Sequence, residues 1–378
     1  MNPYVPIKLP LPSLDANRLI QLVGKANRYV SEFDNLLRRI VNPEILLSVV
    51  KTEEAVASSR IEGTQATIND VWDCEAGVKK SPQIQNDVQE VKNYRNALTQ
   101  VQLYLDTYPF SLAAIRQAHK ILMDSVRGKD KNPGEFRKIQ NWIGVEGTKM
   151  ENAVFIPPSP FLVEEYLQNW IDYFHSEDVD ELIQLAVLHA QFELIHPFCD
   201  GNGRIGRLII PFFLYVKKRI TSPAFFLSRY LEKNRQEYCQ KLNNISNWTS
   251  HEDSNVRLNG WNDWVEYFLK AIVEQTQKDI PHLTALLNLY EKTQKMVMEI
   301  THSQYSLQIA EALFQKPVFT TPEFIQFANI PKNSAGELLH KLSPSLIQVE
   351  SGKGRIPNRW NFTEFNQEIS LYLSEYSV

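Results

Sequence analysis

Residues 195–207 read Ile-His-Pro-Phe-Cys-Asp-Gly-Asn-Gly-Arg-Ile-Gly-Arg, and this stretch decides the fold. It places His196, Asp200, a glycine-rich turn and the two arginines Arg204 and Arg207 close together in the chain. Before it, Leu182, Ile183, Ala186, His189, Phe192 and Glu193 recur at helical spacing. After it, the apolar segment Leu208 to Val216 ends in Lys217, Lys218 and Arg219, cations that suit the negative end of a helix dipole. The pattern is helix, tight loop, helix.

Such a loop has a chemical use. Gly201 and Gly203 let the backbone turn and bring its N–H groups near an anion, and the start of the next helix points the same way. Arg204 and Arg207 add fixed forks suited to phosphate. Asp200 is a hard oxygen ligand suited to Mg²⁺ shared with phosphates. His196 can take a proton near neutral pH. Together these residue types suit a polyphosphate, a metal ion and a hydroxyl nucleophile.

The spacing His-Pro-Phe-x-Asp-Gly-Asn-Gly-Arg-x-x-Arg resembles, at every defined position, the signature of the Fic-domain proteins. A lone His-Pro would be read as a structural turn; the whole constellation is more specific. The resemblance implies a mainly α fold, a Fic-type helical bundle with a β-hairpin flap. It also implies a protein adenylyltransferase that moves AMP from ATP to a Ser, Thr or Tyr hydroxyl of a target protein or of itself. In that reading His196 is the general base and Asp200 holds Mg²⁺. Gly201, Asn202 and Gly203 form an anion hole, Arg204 grips the β-phosphate and Arg207 the γ-phosphate. Ile205 and Gly206 complete the nucleotide-binding stretch, and Phe198 anchors the loop. Tyr238 is a candidate for the nucleotide base, although the family often shows a tyrosine pair where this chain has Tyr238-Cys239; a core tyrosine is the alternative.

Upstream, Pro3, Pro6, Pro10 and Pro12 mark an extended arm. Leu19, Ile20, Leu22, Val23, Val30, Phe33 and Leu36 predict a helix. Asn42-Pro43 suits the start of another, with Asn42 as N-cap, running to Gly63, a C-cap candidate. On that helix Ser58 and Glu62 are four apart and share a face. By themselves they suit a solvated helix end. Beside a Fic-like core they resemble the family's inhibitory motif, with Ser58, Glu62 and Gly63 in the defined places. The resemblance implies that Glu62 pairs with Arg207 and occupies the space of a γ-phosphate.

The segment 75–100, with Val88, Val91, Tyr94 and Leu98 at helical spacing, suggests a surface helix. Residues 111–126 suggest an amphipathic helix on which His119 is structural. Ile139, Trp142, Ile143, Val145, Val154, Phe155 and Ile156 flank a polar turn and predict a hairpin. The resemblance places the flap there, where an exposed edge can take up an extended target segment by strand addition. Trp261 to Ile272 and Ile280 to Ile300 suggest two further helices. Beyond 301, three short helices and a strand, basic turn and strand resemble a winged helix. Its Lys332, Lys341, Lys353, Arg355 and Arg359 are candidates for phosphate contact. The expected division is 1–110, an N-terminal helical region with the inhibitory helix at about 43–63; 111–243, the core with the flap at about 139–156 and the loop at 196–207; 244–300, connecting helices; and 301–378, the winged-helix-like domain.

Composition narrows the alternatives. The 378 residues are 43% hydrophobic and 22% charged with a net charge of −4, so the chain as a whole is not an electrostatic nucleic-acid binder. Three cysteines without Cys-x-x-Cys argue against a disulfide framework or zinc ribbon. The first residues lack a signal-like apolar core and no apolar run is long enough to span a membrane, so a cytoplasmic protein is expected. Expected partners are a hydroxyl-bearing target protein, ATP and Mg²⁺, with a homodimer as an option. A transferase with another donor, an AMP-removing enzyme and a DNA-binding regulator with a nucleotide-sensing domain are the competing readings.

Overall fold

The computed structural model describes residues 3–12, 14–40, 47–75, 77–124, 129–144, 147, 149–248, 254–343, 345–350 and 359–374; of residues 129, 254–257 and 350 only the backbone is considered. The expected helix start at Asn42-Pro43 and the basic residues Lys353 and Arg355 lie outside these residues. The chain forms two compact units. The first comprises Met1–Glu32, Glu54–Thr67 and Ser81–Thr276; the second comprises Phe33–Glu53, Ile68–Lys80 and Gln277–Val378. The region 1–110 thus contributes to both.

In chain order the helices begin with α1 (Ala16–Leu37), α2 (Ser48–Ile61), α3 (Ile68–Glu75), α4 (Pro82–Leu105) and α5 (Leu112–Leu122). They continue with α6 (Val163–His175), α7 (Glu181–Ile195), α8 (Asn202–Val216), α9 (Ser228–Lys233), α10 (Arg235–Trp248) and α11 (Ser254–Thr301). In the first unit α7 is the central element. From Leu182 to Ile195 every residue is buried, so it is buried on all faces rather than amphipathic. Asp180 caps it, accepting from the Leu182 and Ile183 N–H groups at 2.8 and 3.4 Å. Around it pack Trp170, Phe174 and Phe213 in tilted and edge-to-face pairs, with Trp170 against Phe192 of α7 itself. Trp264 of α11 donates its indole N–H to the Ala186 carbonyl at 2.7 Å.

The proline-rich arm packs on this unit. Tyr4 N–H donates to the Ile156 carbonyl (2.8 Å), and Asn169 makes two bonds to the Leu9 backbone. Gln191, inside α7, donates to the Ile7 carbonyl at 2.8 Å. Helix α4 is less exposed than its charged sequence suggests. Asp87, Glu90 and Asn93 are buried on it along with Val88, Val91, Tyr94 and Leu98. The polar residues point inward because each has a partner there, as described below.

Two expectations change. Trp261 to Ile272 and Ile280 to Ile300 belong to one helix, α11, with Pro281 inside it. The proline costs one backbone bond but does not end the helix. The expected hairpin at 139–156 is not a pair of regular strands among the described residues. One antiparallel bridge joins Ile143 to Phe155, and a 3₁₀ turn spans Met150–Asn152.

The second unit carries α12 (Ser306–Leu313), β1 (Val318–Thr320), α13 (Thr321–Ala328), α14 (Lys332–Leu342), β2 (Ile347–Glu350), β3 (Arg359–Phe362) and α15 (Thr363–Ser374). The sheet order is β1-β3-β2, antiparallel throughout, with Phe319 opposite Trp360 and Val349 opposite Trp360 on the other side. Phe314 packs against Tyr290, Phe362 and Phe365. Thr320 and Glu323 form a capping box at the start of α13. The three short helices stand where the sequence placed them, joined by the extra strand β1 and helix α15.

Trp264 is fully buried. Trp264→Ala should destabilise the first unit by about 3–5 kcal/mol, read as a lower midpoint in chemical or thermal unfolding.

Candidate active site

The site forms where α7 ends and α8 begins. His196 closes α7 in the left-handed conformation (φ 50°), its N–H bonded to the Phe192 carbonyl at 3.0 Å. That conformation is uncommon for a non-glycine residue and is held here by the loop that follows. Gly201 (φ 76°) sits at the N-cap of α8. A side chain there would also approach Met123 Sδ at 3.0 Å, so glycine is required on two counts. Asn202 clamps the turn: its Oδ1 accepts from Phe198 N–H (2.8 Å) and its Nδ2 donates to the Phe198 carbonyl (2.9 Å). Its side chain therefore shapes the loop. What Asn202, Gly203 and Arg204 offer an anion is the backbone N–H groups of the first helical turn, which have no intrahelical partner.

Phe198 is fully buried, as the sequence suggested, and stacks on the His119 ring with centroids 3.7 Å apart. His119 Nδ1 accepts from Gly134 N–H at 2.8 Å, so Nε2 carries the proton and donates to the Asp200 carbonyl at 3.0 Å. Its role is structural, as expected. Burial lowers its pKa to about 4. Arg137 is a further support. Its guanidinium donates to the carbonyls of His196 (2.9 Å), Pro158 (2.6 Å), Ile195 (3.3 Å) and Ile139 (3.4 Å). A cation thus caps the C-terminal end of α7, where the helix dipole favours it.

His196 Nδ1 lies 3.3 Å from the Glu193 carbonyl, which can only accept. Nδ1 is therefore the protonated nitrogen and the Nε2 lone pair is basic. Burial lowers the pKa to about 4, so the ring is neutral at pH 7.

The two arginines meet different carboxylates. Arg207 is buried and donates Nε to Ser58 Oγ (2.9 Å) and NH2 to the Ser58 carbonyl (2.9 Å) and Glu62 Oε1 (2.7 Å). Ser58, Glu62 and Arg207 therefore come together as the sequence reading expected. Gly63 follows the end of α2 with φ 102° and bonds to the Arg60 carbonyl. Partial burial would raise the pKa of Glu62, but the Arg207 charge and hydrogen bond hold it below the usual carboxylate range. Burial alone would lower the pKa of Arg207; Glu62 and neighbouring acidic groups raise it instead. Gly203 makes the approach possible, since a Cβ there would lie 2.2 Å from Glu62 Oε1. Arg204, also buried, donates NH1 to Glu90 Oε2 at 3.0 Å and places NH2 3.7 Å from Asp200 Oδ1.

Two more carboxyls lie beneath Arg207. Glu54 accepts from Tyr94 Oη (2.8 Å) and Ser228 Oγ (2.5 Å), and burial raises its pKa to about 7. Glu193 is raised to about 7 for the same reason, and its Oε1 has no hydrogen-bond partner among the described residues. It packs against Gly206, where a Cβ would lie 2.2 Å from Oε1. Ile205 is fully buried in the core. Glu54 had no sequence signal, since an isolated glutamate on a helix pattern reads as surface; Glu193 stood among the residues that recur at helical spacing before the loop.

Tyr238 does not present its ring to an open site. It is buried beside Trp264, and its hydroxyl donates to His189 Nε2 at 3.0 Å while His189 Nδ1 donates to the Gly206 carbonyl at 3.1 Å. The core alternative describes its position. Beside the loop, Asn141 donates to the Phe198 carbonyl at 3.2 Å, and Ile139, Trp142, Ile143 and Val154 are exposed.

Asp200 keeps an exposed carboxylate whose Oδ1 accepts from Gly201 N–H at 2.6 Å. Among the described residues no group of three or more His, Cys, Asp or Glu side chains could hold a metal ion. One carboxylate nonetheless suits Mg²⁺, which keeps several waters and takes substrate phosphates as further ligands.

Comparison with known proteins identifies the family. Residues 109–214 match the Fic/DOC family and residues 20–102 match the Fic/DOC family N-terminal region. The chain belongs to the Fic/DOC family. A probable protein adenylyltransferase of Aquifex aeolicus is 25% identical over 201 residues, 53% of this chain and 56% of that protein. Protein adenylyltransferase fic-1 of Caenorhabditis elegans is 39% identical over 69 residues, 18% of this chain and 14% of that one. This Fic/DOC chain thus spans about half the length of the first relative and a smaller share of the second. The crystal structure of a Fic family protein from Desulfovibrio desulfuricans covers 96% of this chain and 98% of its own, with TM-score 0.53 and 17% identity, a likeness of fold. No helix among the described residues is long and apolar enough to cross a membrane.

The low pKa of His196 has a signed consequence. The unfolded imidazole binds a proton near pH 6.5 and the folded one near 4. The stability contributed by neutral His196 is fully present above about pH 6.5 and is lost as pH falls towards about 4. The unfolding free energy of wild type minus that of His196→Ala should decrease over this window in denaturant titrations. Nitrogen-15 NMR of the ring should show no titration between pH 5 and 8.

Proposed function

We propose that this protein is a protein adenylyltransferase, transferring AMP from ATP to a Ser, Thr or Tyr hydroxyl of a target protein or of itself. The observation that carries the reading is a neutral His196 with a basic Nε2, held next to a helix start that carries both arginines. Its relatives named protein adenylyltransferases support it.

In the proposed reaction the target hydroxyl oxygen bonds to the α-phosphorus of ATP. The bond from that phosphorus to the bridging oxygen breaks, and pyrophosphate leaves. His196 Nε2 takes the hydroxyl proton as general base. Positioning and charge stabilisation supply most of the catalysis in such transfers. The N–H groups opening α8, with Gly201 and Gly203, receive phosphate oxygens; Arg204 holds the β-phosphate and Arg207 the γ-phosphate. Asp200 would hold Mg²⁺, whose charge offsets that of the phosphates. Tyr238 is assigned to the core beneath the site.

Glu62 supports a second part of the proposal, autoinhibition. It accepts from Arg207 NH2, the group needed by a γ-phosphate, so ATP and Glu62 compete for one guanidinium. The role of the exposed apolar segment around Ile143 as a flap that takes up an extended target strand is proposed on the same basis. Two of the cations considered for phosphate contact have carboxylates beside them. Lys341 pairs with Glu337 and Arg359 lies 3.6 Å from Asp73.

The test uses Mg²⁺ and ATP labelled at the α- or the γ-phosphate, with wild type, Glu62→Gly and His196→Ala. Protein should take label from the α-phosphate only. Glu62→Gly should raise incorporation by about tenfold or more, and His196→Ala should lower it by about a hundredfold or more. Label from the γ-phosphate only would establish phosphoryl transfer instead. Unchanged incorporation in a folded, ATP-binding Glu62→Gly would remove the inhibitory role.

A further inference from the structure

Helix α4 holds three polar side chains on one face at positions 87, 90 and 94, a helical spacing. Asp87 Oδ2 accepts from Gln65 N–H at 2.7 Å, just beyond the end of α2. Tyr94 donates to Glu54 Oε1 at 2.8 Å, in the body of α2. Between these two anchors Glu90 receives Arg204 NH1 at 3.0 Å. On the same helix Asn93 donates to the carbonyls of Leu122 (3.3 Å) and Asp124 (2.8 Å), fixing α4 to the segment that follows α5. Glu90 is therefore carried on a helix tied down on both sides of it.

The Arg204 guanidinium is bracketed. NH1 is taken by Glu90, and NH2 lies 3.7 Å from Asp200 Oδ1 and 3.9 Å from Met123 Sδ. The residue is 5% exposed, yet Nε has no hydrogen-bond partner among the described residues. A buried guanidinium donor without an acceptor is costly unless a ligand supplies one. A fork gripped at one nitrogen leaves its remaining donors with a fixed direction, the condition for planar recognition of phosphate.

We propose that Glu90 is a positioning residue, which orients Arg204 through NH1 so that its remaining donors meet the β-phosphate of the bound nucleotide. The proposal rests on the nucleotide-binding reading of the site and adds a residue outside the signature stretch. It assigns to the N-terminal region a part in building the site, alongside its part in occupying it through Glu62.

Position and charge make opposite demands, so conservative variants separate them. Glu90→Gln keeps length and an acceptor oxygen but loses the charge. Glu90→Asp keeps the charge but withdraws the oxygen by one methylene. Calorimetric affinities for ATP, ADP and AMP are measured in the full chain with Mg²⁺, with thermal midpoints recorded for each variant. Glu90→Ala leaves a buried cation unpaired and can fail to fold, so the two conservative variants carry the test.

Glu90→Asp should weaken ATP and ADP by about tenfold while AMP changes by less than about twofold. Glu90→Gln should stay near wild type for all three. The reverse pattern, Asp harmless and Gln impaired, would make Glu90 a charge balancer and overturn the proposal. Tighter ATP and ADP binding in both variants would make it a competitor for Arg204 and overturn it equally. Equal loss for all three nucleotides would indicate structural damage only and would overturn it as well. The comparator Arg204→Ala distinguishes failure of the wider reading. If wild type and Arg204→Ala show the same preference for ATP and ADP over AMP, the assignment of Arg204 falls and Glu90 with it. If Arg204→Ala loses the preference but Glu90→Asp keeps it, only Glu90 falls.

Discussion

The burial of Arg207 is the constraint on which the rest of the site depends. A guanidinium 2% exposed cannot be left without acceptors, because the cost of an unpaired buried charge would be several kcal/mol. Ser58 meets it with hydroxyl and carbonyl, and Glu62 meets it with a carboxylate. These groups come from α2 and the residue just beyond it, so α2 must lie against the start of α8. That in turn requires Gly203 to have no side chain, since a Cβ would occupy the place of the Glu62 carboxylate. The glycine in the loop thus serves two purposes. It lets the Glu62 carboxylate approach the loop backbone, and in the proposed reading it lets a phosphate approach the same place.

The neutral histidine follows from a parallel constraint. His196 ends a helix buried from Leu182 to Ile195, and its Nδ1 is used by the last turn of that helix. The fold therefore chooses the tautomer, and burial chooses the charge state. Around it, support is layered. Asn202 clamps the loop to Phe198, Phe198 stacks on His119, and His119 links Gly134 to Asp200. Arg137 closes the other side through four carbonyls.

The parts of this arrangement that are legible in the sequence are those in which chemistry is concentrated in neighbouring residues. His196 to Arg207 and Ser58 to Gly63 are compact strings whose residue types restrict what they can do. The helices around them follow from apolar spacing. Glu90, Glu54 and Arg137 are illegible there because each takes its meaning from a partner far along the chain. On a helix pattern Glu90 looks like one solvated charge among several; only the packing of α4 turns it inward. The expected hairpin is reduced, among the described residues, to one antiparallel bridge for a related reason. Strand propensity around Ile143 and Phe155 does mark extended chain, but a ladder needs matched partners across a turn, and the described residues provide one bridge. Pro281 illustrates the converse, a local breaker absorbed by a long helix.

The order of the partners along the chain has its own consequence. Glu62 lies 145 residues before Arg207, and Glu90 lies 114 before Arg204. On a ribosome adding about 5–20 residues per second, both carboxylates are made several seconds or more ahead of the guanidiniums they meet. When the signature loop leaves the exit tunnel, its acidic partners are already waiting outside. Synthesis order thus makes both carboxylates available before the loop they pair with is complete.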